Sequence, residues 1–184
     1  VDIFDELNST VLILGEPGSG KNVTLLELAR DLIRRAEDDV SFSEPIPVVF
    51  NLSSWTDTPQ SFADWLVTEL NGKYYIPKPI GRAWLEQNCI LPLLDGLDEV
   101  SVDNRTACVD SINTFAKSFG LPGLAVCSRH AEYTDLSVRL KLAGAICLRP
   151  LSATQVEEYL TAGGAKLDPL RSAIKKDVAL AELA

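Results

Sequence analysis

Five short apolar runs are spaced along the chain, and polar segments with helical periodicity separate them. Each run is continuous in its hydrophobicity and is bounded by turn-forming residues, which is typical of strands buried on both faces of a sheet. The runs cover residues 10–14, 47–52, 89–94, 124–128 and 145–148. They predict five buried β-strands.

The segments between these runs predict helices. In the first, apolar residues recur three or four positions apart, so they form one stripe that we expect to face the sheet. The stripe consists of Leu25, Leu28, Ala29, Leu32 and Ala36, within a helix predicted over residues 23–36. Further helices are predicted over residues 61–70, 80–87, 104–119 and 152–161.

Strands that alternate with helices predict an α/β fold, in which a parallel sheet is flanked by helices and ligands bind beyond the carboxyl ends of the strands. We expect residues 1–150 to form this domain. A helical appendage is predicted over residues 151–184, opening with Ser152 and Gln155 at the spacing of a capping box. The longest polar loops are predicted at residues 37–45 and 53–60.

Composition and charge narrow the class of protein. With 184 residues, 46% of them apolar, the chain can bury one sizeable core. It contains no apolar run of membrane-spanning length, and its N-terminus is acidic, so we expect a cytoplasmic protein without a membrane partner. The net charge of −9 argues against direct nucleic-acid binding. Because the chain starts at Val1 and ends on the helical sequence ALAELA, we expect it to be part of a longer protein.

The four cysteines lie between residues 89 and 147, about twenty residues apart. Cys89, Cys108, Cys127 and Cys147 form no C-x-x-C pair, and all lie in or beside apolar strand or helix patterns. This spacing favours buried free thiols over disulfides or a zinc site.

The sequence GEPGSGKN at residues 15–22 follows the first strand and leads into the first long helix. It differs from the phosphate-binding pattern G-x-x-x-x-G-K-[ST] only in its last residue. The glycines allow successive backbone N–H groups to point at phosphate oxygens, and Lys21 adds a full positive charge. The residues predicted to hold a nucleotide are Gly15, Glu16, Pro17, Gly18, Ser19, Gly20, Lys21, Asn22 and Val23.

A second motif, ILPLLDGLDEV at residues 90–100, is an apolar strand that ends on a carboxylate. Asp95, at the strand end, is predicted to ligate Mg²⁺ directly or through water, since this ion prefers oxygen ligands. Asp98 or Glu99 can orient or deprotonate a water that attacks a terminal phosphate. We favour Asp98 slightly over Glu99 for that role.

Together the two motifs resemble those of the NACHT family of signal-transducing P-loop NTPases, which belong to the STAND class. VCSR at residues 126–129 resembles the strand from which an arginine, here Arg129, approaches the terminal phosphate, and LRPLSATQVEEYL at residues 148–160 resembles the start of the helical lid. The resemblance implies an ATP-driven switch that binds ATP or ADP with Mg²⁺ and self-associates as part of the full-length protein.

Asn22 stands where the motif has a serine or threonine that ligates Mg²⁺. Its longer, planar amide carries an NH₂ group that repels the cation, so we expect slow turnover and a weakened triphosphate complex. The alternative is that the amide oxygen or a water serves in place of the hydroxyl.

The leading hypothesis is therefore the ATP- or ADP-binding core of a NACHT-type switch with weak, Mg²⁺-dependent NTP hydrolysis. One alternative is a nucleotide-bound scaffold that does not hydrolyse. A P-loop kinase acting on a small molecule is a further alternative, disfavoured because the sequence shows no acceptor-binding motif. The preference for adenine rests on the resemblance and on the absence of an N-K-x-D motif.

Overall fold

A computed structural model describes residues 1–41 and 43–176, which alternate between strand and helix. The strands are β1 (Thr10–Gly15), β2 (Ile46–Asn51), β3 (Ile90–Asp95), β4 (Leu124–Arg129) and β5 (Gly144–Leu148). The helices are α1 (Asp2–Glu6), α2 (Lys21–Asp38), α3 (Phe62–Tyr74), α4 (Lys78–Glu86), α5 (Val102–Phe119), α6 (His130–Thr134), α7 (Ala153–Ala162) and α8 (Asp168–Lys176). Short 3₁₀ helices occupy Leu52–Ser54, Leu97–Glu99 and Gly164–Lys166. The five strands and five long helices predicted from periodicity are confirmed.

The five strands form one parallel sheet in the order β2-β3-β4-β1-β5. Parallel neighbours need crossover connections, and α2, the pair α3 and α4, α5, and α6 supply them in chain order. The predicted α/β fold, a parallel sheet flanked by helices, is therefore confirmed.

Each face of the sheet is covered by its own apolar cluster, because successive strand residues point to opposite faces. In β1, Val11 and Ile13 pack with the buried residues of α1 and α2, whereas Leu12 packs with those of α3 and α5. The buried residues of α2 are Leu25, Leu28, Ala29 and Leu32. They are four of the five residues in the stripe read from the sequence, so the helix is oriented as predicted.

Strand β5 departs from the prediction of burial on both faces. Its residues alternate between half-buried and exposed, because β5 lies at the edge of the sheet and pairs only with β1. Cys147 is consequently exposed and Cys89 is half-buried, which corrects the expectation that all four thiols are buried. All four cysteines are free, as predicted. In the described part of the chain, no three or more histidine, cysteine, aspartate or glutamate side chains form a group that could hold a metal ion by themselves.

The chain divides into two compact units, Val1–Leu148 and Arg149–Ala184. In the second unit, α7 opens with the predicted capping box: the Ser152 hydroxyl accepts the Gln155 N–H, and the Gln155 side chain accepts the Ser152 N–H. The terminal ALAELA sequence, predicted to be helical, lies outside the described residues. Within the described ranges, no helix is both long and apolar enough to cross a membrane.

Candidate functional site

Three of the predicted site segments meet at the carboxyl edge of the sheet. Gly15, at the end of β1, lies opposite Arg129, at the end of β4, in the parallel register. Asp95 ends β3, the neighbour of β4. The fold thus places three features side by side, although long crossovers separate them in sequence. They are the glycine-rich loop, the acidic turn (residues 95–99) and Arg129.

Two glycines determine the backbone conformation of the loop between β1 and α2. Gly18 and Gly20 have φ angles of 76° and 88°, in the left-handed region that favours glycine. The Ser19 N–H donates to the Glu16 carbonyl, which closes the turn. An added Cβ at Gly18 or Gly20 would meet no atom within 4 Å, so space is open beside the backbone there.

The backbone N–H groups at this turn are available to a ligand. Helix α2 begins after Gly20 without a side-chain cap, and the first N–H groups of any helix lack intrahelical acceptors. Within the described ranges, no protein acceptor is found for the N–H groups of five residues, which are Gly18, Gly20, Lys21, Asn22 and Val23. Such a row of donors at a helix N-terminus favours an anion.

Lys21 closes the loop upon itself. Its Nζ donates to the carbonyls of Gly15 and Glu16, each at 2.9 Å. An ammonium group has three N–H donors, so one remains for an oxygen of a bound phosphate. The side chain is therefore held in position without using all of its hydrogen-bonding capacity.

The other side chains of the loop differ in exposure. Glu16, Pro17, Asn22 and Val23 are exposed. The Ser19 hydroxyl is buried against Gly15 and has no hydrogen-bond partner among the residues that the structure describes. The Asn22 side chain is exposed in the first turn of α2 and makes no hydrogen bond within the described ranges, so its amide is available to a ligand at the loop.

Asp95 is half-buried at the end of β3. Loss of hydration raises its pKa above the usual value, and the neighbouring carboxylates of Glu99 and Asp98 raise it further, while Lys21 acts in the opposite direction. A carboxylate held among like charges is a natural ligand for a divalent cation, which would relieve the repulsion.

We expect Asp95→Asn to raise the Tm of the nucleotide-free protein at neutral pH. Because the folded pKa of Asp95 is raised, its ionised form destabilises the fold above that pKa, and this effect disappears as the pH falls and the carboxyl is protonated. The difference in Tm between the variant and the wild type should therefore shrink from pH 7 toward the acidic range. Thermal melts at several pH values measure it, and a difference that grows on acidification would contradict the explanation.

Asp98 connects the acidic turn to the end of β4. Its Oδ1 accepts the backbone N–H of Arg129 at 3.0 Å, and its Oδ2 accepts Arg129 Nε at 2.9 Å. The Asp98 side chain is 8% exposed, whereas that of Arg129 is 45% exposed. Arg129 also contacts Glu132 through Nη1 at 3.4 Å, but its Nη2 donates to no acceptor in the described residues. The Arg129 guanidinium is therefore held through Nε and Nη1, and its Nη2 can donate to a ligand.

Glu99 is exposed, and its carboxylate has no protein partner among the described contacts. The carboxylate lies over Gly96, where an added Cβ would come within 3.0 Å of it. Gly96 has a φ of 77°, so the turn that presents Glu99 requires glycine there. Asp98 and Glu99 are the two candidates for activating a water. Among the described contacts, only the Glu99 carboxylate accepts no hydrogen bond.

Arg105 is a residue that the sequence analysis missed. It lies on α5 and is only 9% exposed, and its Nη2 donates to the carbonyls of Asp98 and Val100. The available signal was its position, because it shares the buried face of α5 with Cys108, Val109 and Ile112. A charged residue within an apolar stripe calls for an explanation.

Comparison with solved structures concerns the fold of the chain. The crystal structure of Cdc6p from Pyrobaculum aerophilum superposes with a TM-score of 0.50 at 18% identity, covering 83% of this chain and 42% of that one. The structure of PCH-2 from C. elegans gives a TM-score of 0.47 at 16% identity, covering 92% of this chain and 43% of that one.

The chain has the fold of a P-loop NTPase. It spans less than half the length of either of these structures. No family model and no curated protein matches the sequence. The likeness therefore concerns the fold, and function has to be argued from the site.

Proposed function

We propose that this chain is the nucleotide-binding core of a NACHT-type switch, which binds ATP or ADP with Mg²⁺ and hydrolyses ATP slowly. The observation that carries the proposal is the loop at residues 15–23, where five backbone N–H groups and one Lys21 proton are free for a polyphosphate. The NACHT-type assignment is supported by the sequence pattern of this loop together with DGLDE at residues 95–99. The proposal includes self-association as a property of the whole protein.

Each site residue has a defined task in this proposal. The loop amides bind the phosphates, and Lys21 neutralises their charge. Asp95 and Asn22 would hold Mg²⁺, which when bound offsets the charge that develops on the phosphate oxygens. The free Nη2 of Arg129 is available to the terminal phosphate, while Asp98 keeps the rest of the guanidinium in place.

We assign the water-orienting role to Glu99 and a positioning role to Asp98. A general base must be able to accept the proton of the attacking water. Both Asp98 oxygens already accept hydrogen bonds from Arg129, whereas the Glu99 carboxylate is exposed and unpaired in the described structure. The sequence slightly favoured Asp98 for orienting the water. These contacts support Glu99 instead.

Titration calorimetry with four nucleotides tests the proposal. We expect ADP and ATP to bind, with Mg²⁺ strengthening the ATP complex, and GDP and GTP to bind more weakly. Release of inorganic phosphate from ATP is then followed under the same conditions. If folded protein shows no heat of binding with any of the four, nucleotide binding is excluded.

A non-hydrolysing scaffold is the second candidate, and Asn22 is the observation that favours it. An exposed amide stands where a compact hydroxyl would complete the Mg²⁺ site. Tight ADP binding without phosphate release in the experiment above would support this reading over hydrolysis.

We expect Asn22→Thr to raise the Mg²⁺-dependent hydrolysis rate by about tenfold, equivalent to about 1.4 kcal/mol of better stabilised transition state. The reason is that the threonine hydroxyl supplies a compact oxygen ligand. The affinity for ADP without Mg²⁺ should stay the same, because it depends on the loop amides and Lys21. Asn22→Ala is the control that removes the amide without adding a ligand. Equal rates for all three proteins would show that the amide does not limit turnover.

A further inference from the structure

Arg105 is a charged residue in an unfavourable environment. Its guanidinium is buried in the first part of α5, where the helix dipole is positive and a cation is unfavourable. No carboxylate pairs with it in the described structure, and its buried Nε has no hydrogen-bond partner at all. Residues that break a local rule in this way are expected at functional sites.

The contacts of Arg105 indicate what it does. Its Nη2 donates to the Asp98 carbonyl at 2.7 Å and to the Val100 carbonyl at 3.1 Å. These carbonyls belong to the residues immediately before and after Glu99. One guanidinium therefore fixes the backbone on both sides of the carboxylate to which we assign the orientation of water.

Other contacts also hold this turn, since Asp98 accepts two hydrogen bonds from Arg129 and the side chains of Leu97 and Val100 are buried. The hydrogen bonds within its own backbone are weaker. The Glu99 N–H donates to the Gly96 carbonyl at 2.9 Å, but the Val100 N–H reaches the Leu97 carbonyl only at 3.4 Å. Gly96, which has a positive φ, adds a flexible point immediately before the 3₁₀ helix Leu97–Glu99. Rotation of this turn would move Glu99 while leaving Asp95 on its strand.

We propose that Arg105 is a positioning residue, which holds the Gly96–Val100 turn so that Glu99 faces the phosphate site. The catalytic part of this inference rests on the proposed function. Its structural part does not, because the carbonyl contacts exist without nucleotide. Arg105 should affect turnover far more than nucleotide affinity, since it touches neither the loop at residues 15–23 nor Lys21.

The test compares Arg105→Met with Arg139→Met. Arg139 is a matched control, because its guanidinium also donates to backbone carbonyls, those of Thr134, Leu136 and Val138, away from the acidic turn. Hydrogen exchange is measured first, without nucleotide. We expect Arg105→Met to speed exchange at the Glu99 and Val100 amides by about tenfold, the size expected for loss of hydrogen bonds to a charged group. Arg139→Met should leave these amides unchanged.

Kinetics supply the second measurement. We expect Arg105→Met to lower kcat for ATP hydrolysis by about tenfold to 100-fold, as misplacement of a reacting group does, with the ADP Kd and the KM for ATP unchanged. Arg105→Lys, which keeps the charge but not the two-carbonyl geometry, should fall between the wild type and Arg105→Met. It also replaces Arg105→Met if that variant does not fold.

The outcomes separate the two proposals. Unchanged exchange at the Glu99 and Val100 amides in Arg105→Met and Arg105→Lys would overturn the role of Arg105, whether or not the wild type hydrolyses ATP. Faster exchange with unchanged kcat would overturn its effect on turnover. A wild type that binds no nucleotide would instead overturn the proposed function, and the exchange measurement would still decide whether Arg105 holds the turn.

Discussion

Lys21→Met should weaken the binding of ADP and ATP by about 100-fold. A hydrogen bond to a charged group contributes about 1.5–3 kcal/mol, or roughly 10-fold to 150-fold in affinity. The substitution also removes the two hydrogen bonds from Nζ to the Gly15 and Glu16 carbonyls, which stabilise the conformation of the loop. Methionine keeps the length and the apolar character of the stem. Titration calorimetry with each nucleotide measures the loss.

Lys117→Met is the matched control for this substitution. Lys117 lies in the last turn of α5 and is exposed, and it has no polar partner among the described contacts. The control should bind nucleotides like the wild type, which shows that the loss at Lys21 is not a general effect of removing one positive charge. If Lys21→Met binds ADP as tightly as Lys117→Met does, the loop at residues 15–23 is not the phosphate site.

Glu99→Gln should lower kcat for ATP hydrolysis by about 100-fold, the lower end of the usual contribution of a general base. The amide keeps the size of the side chain but cannot accept the proton of the attacking water. Nucleotide affinity should be unchanged, because Glu99 belongs to neither the loop nor the strand end that would hold Mg²⁺. Single-turnover release of phosphate from ATP measures the chemical step directly.

Asp98→Asn distinguishes the two acidic residues. We expect it to act through Arg129, because it weakens the pair between Asp98 Oδ2 and Arg129 Nε. Its effect should therefore be non-additive with Arg129→Met, whereas Glu99→Gln should add to either variant. Asp103→Asn, an exposed carboxylate in the first turn of α5, serves as the control. Full loss of turnover in Asp98→Asn with normal turnover in Glu99→Gln would return the water-orienting role to Asp98.

The conformation of the glycine-rich loop at residues 15–23 was predictable from local sequence because its requirements are local. The loop requires a strand, glycines that can adopt positive φ and a helix that starts beside them, and these are adjacent in the chain. The hydrogen bond from Lys21 Nζ to the Gly15 carbonyl spans only six residues. The acidic turn was predictable for the same reason as far as Asp95, since a carboxylate at the end of an apolar strand must lie at the carboxyl edge of the sheet.

The pairing of Asp98 with Arg129 could not be predicted from local sequence. The two residues are 31 positions apart, and α5 with its flanking loops intervenes. Only the placement of β4 beside β3 brings the Arg129 backbone N–H to Asp98. The motif shows that two acidic residues, Asp98 and Glu99, follow the strand. It does not show which of their carboxylates already accepts hydrogen bonds from another side chain.

Sequence alone determined the alternation of strands and helices, the stripe of α2 that faces the sheet, and the glycine-rich turn between β1 and α2. Each depends on neighbours within a few turns of the chain. Tertiary structure decided the strand order, which leaves β5 at an edge with Cys147 exposed. It also decided the burial of Arg105, because this side chain is enclosed only when α5 packs against the core, although the carbonyls that it contacts are near in sequence.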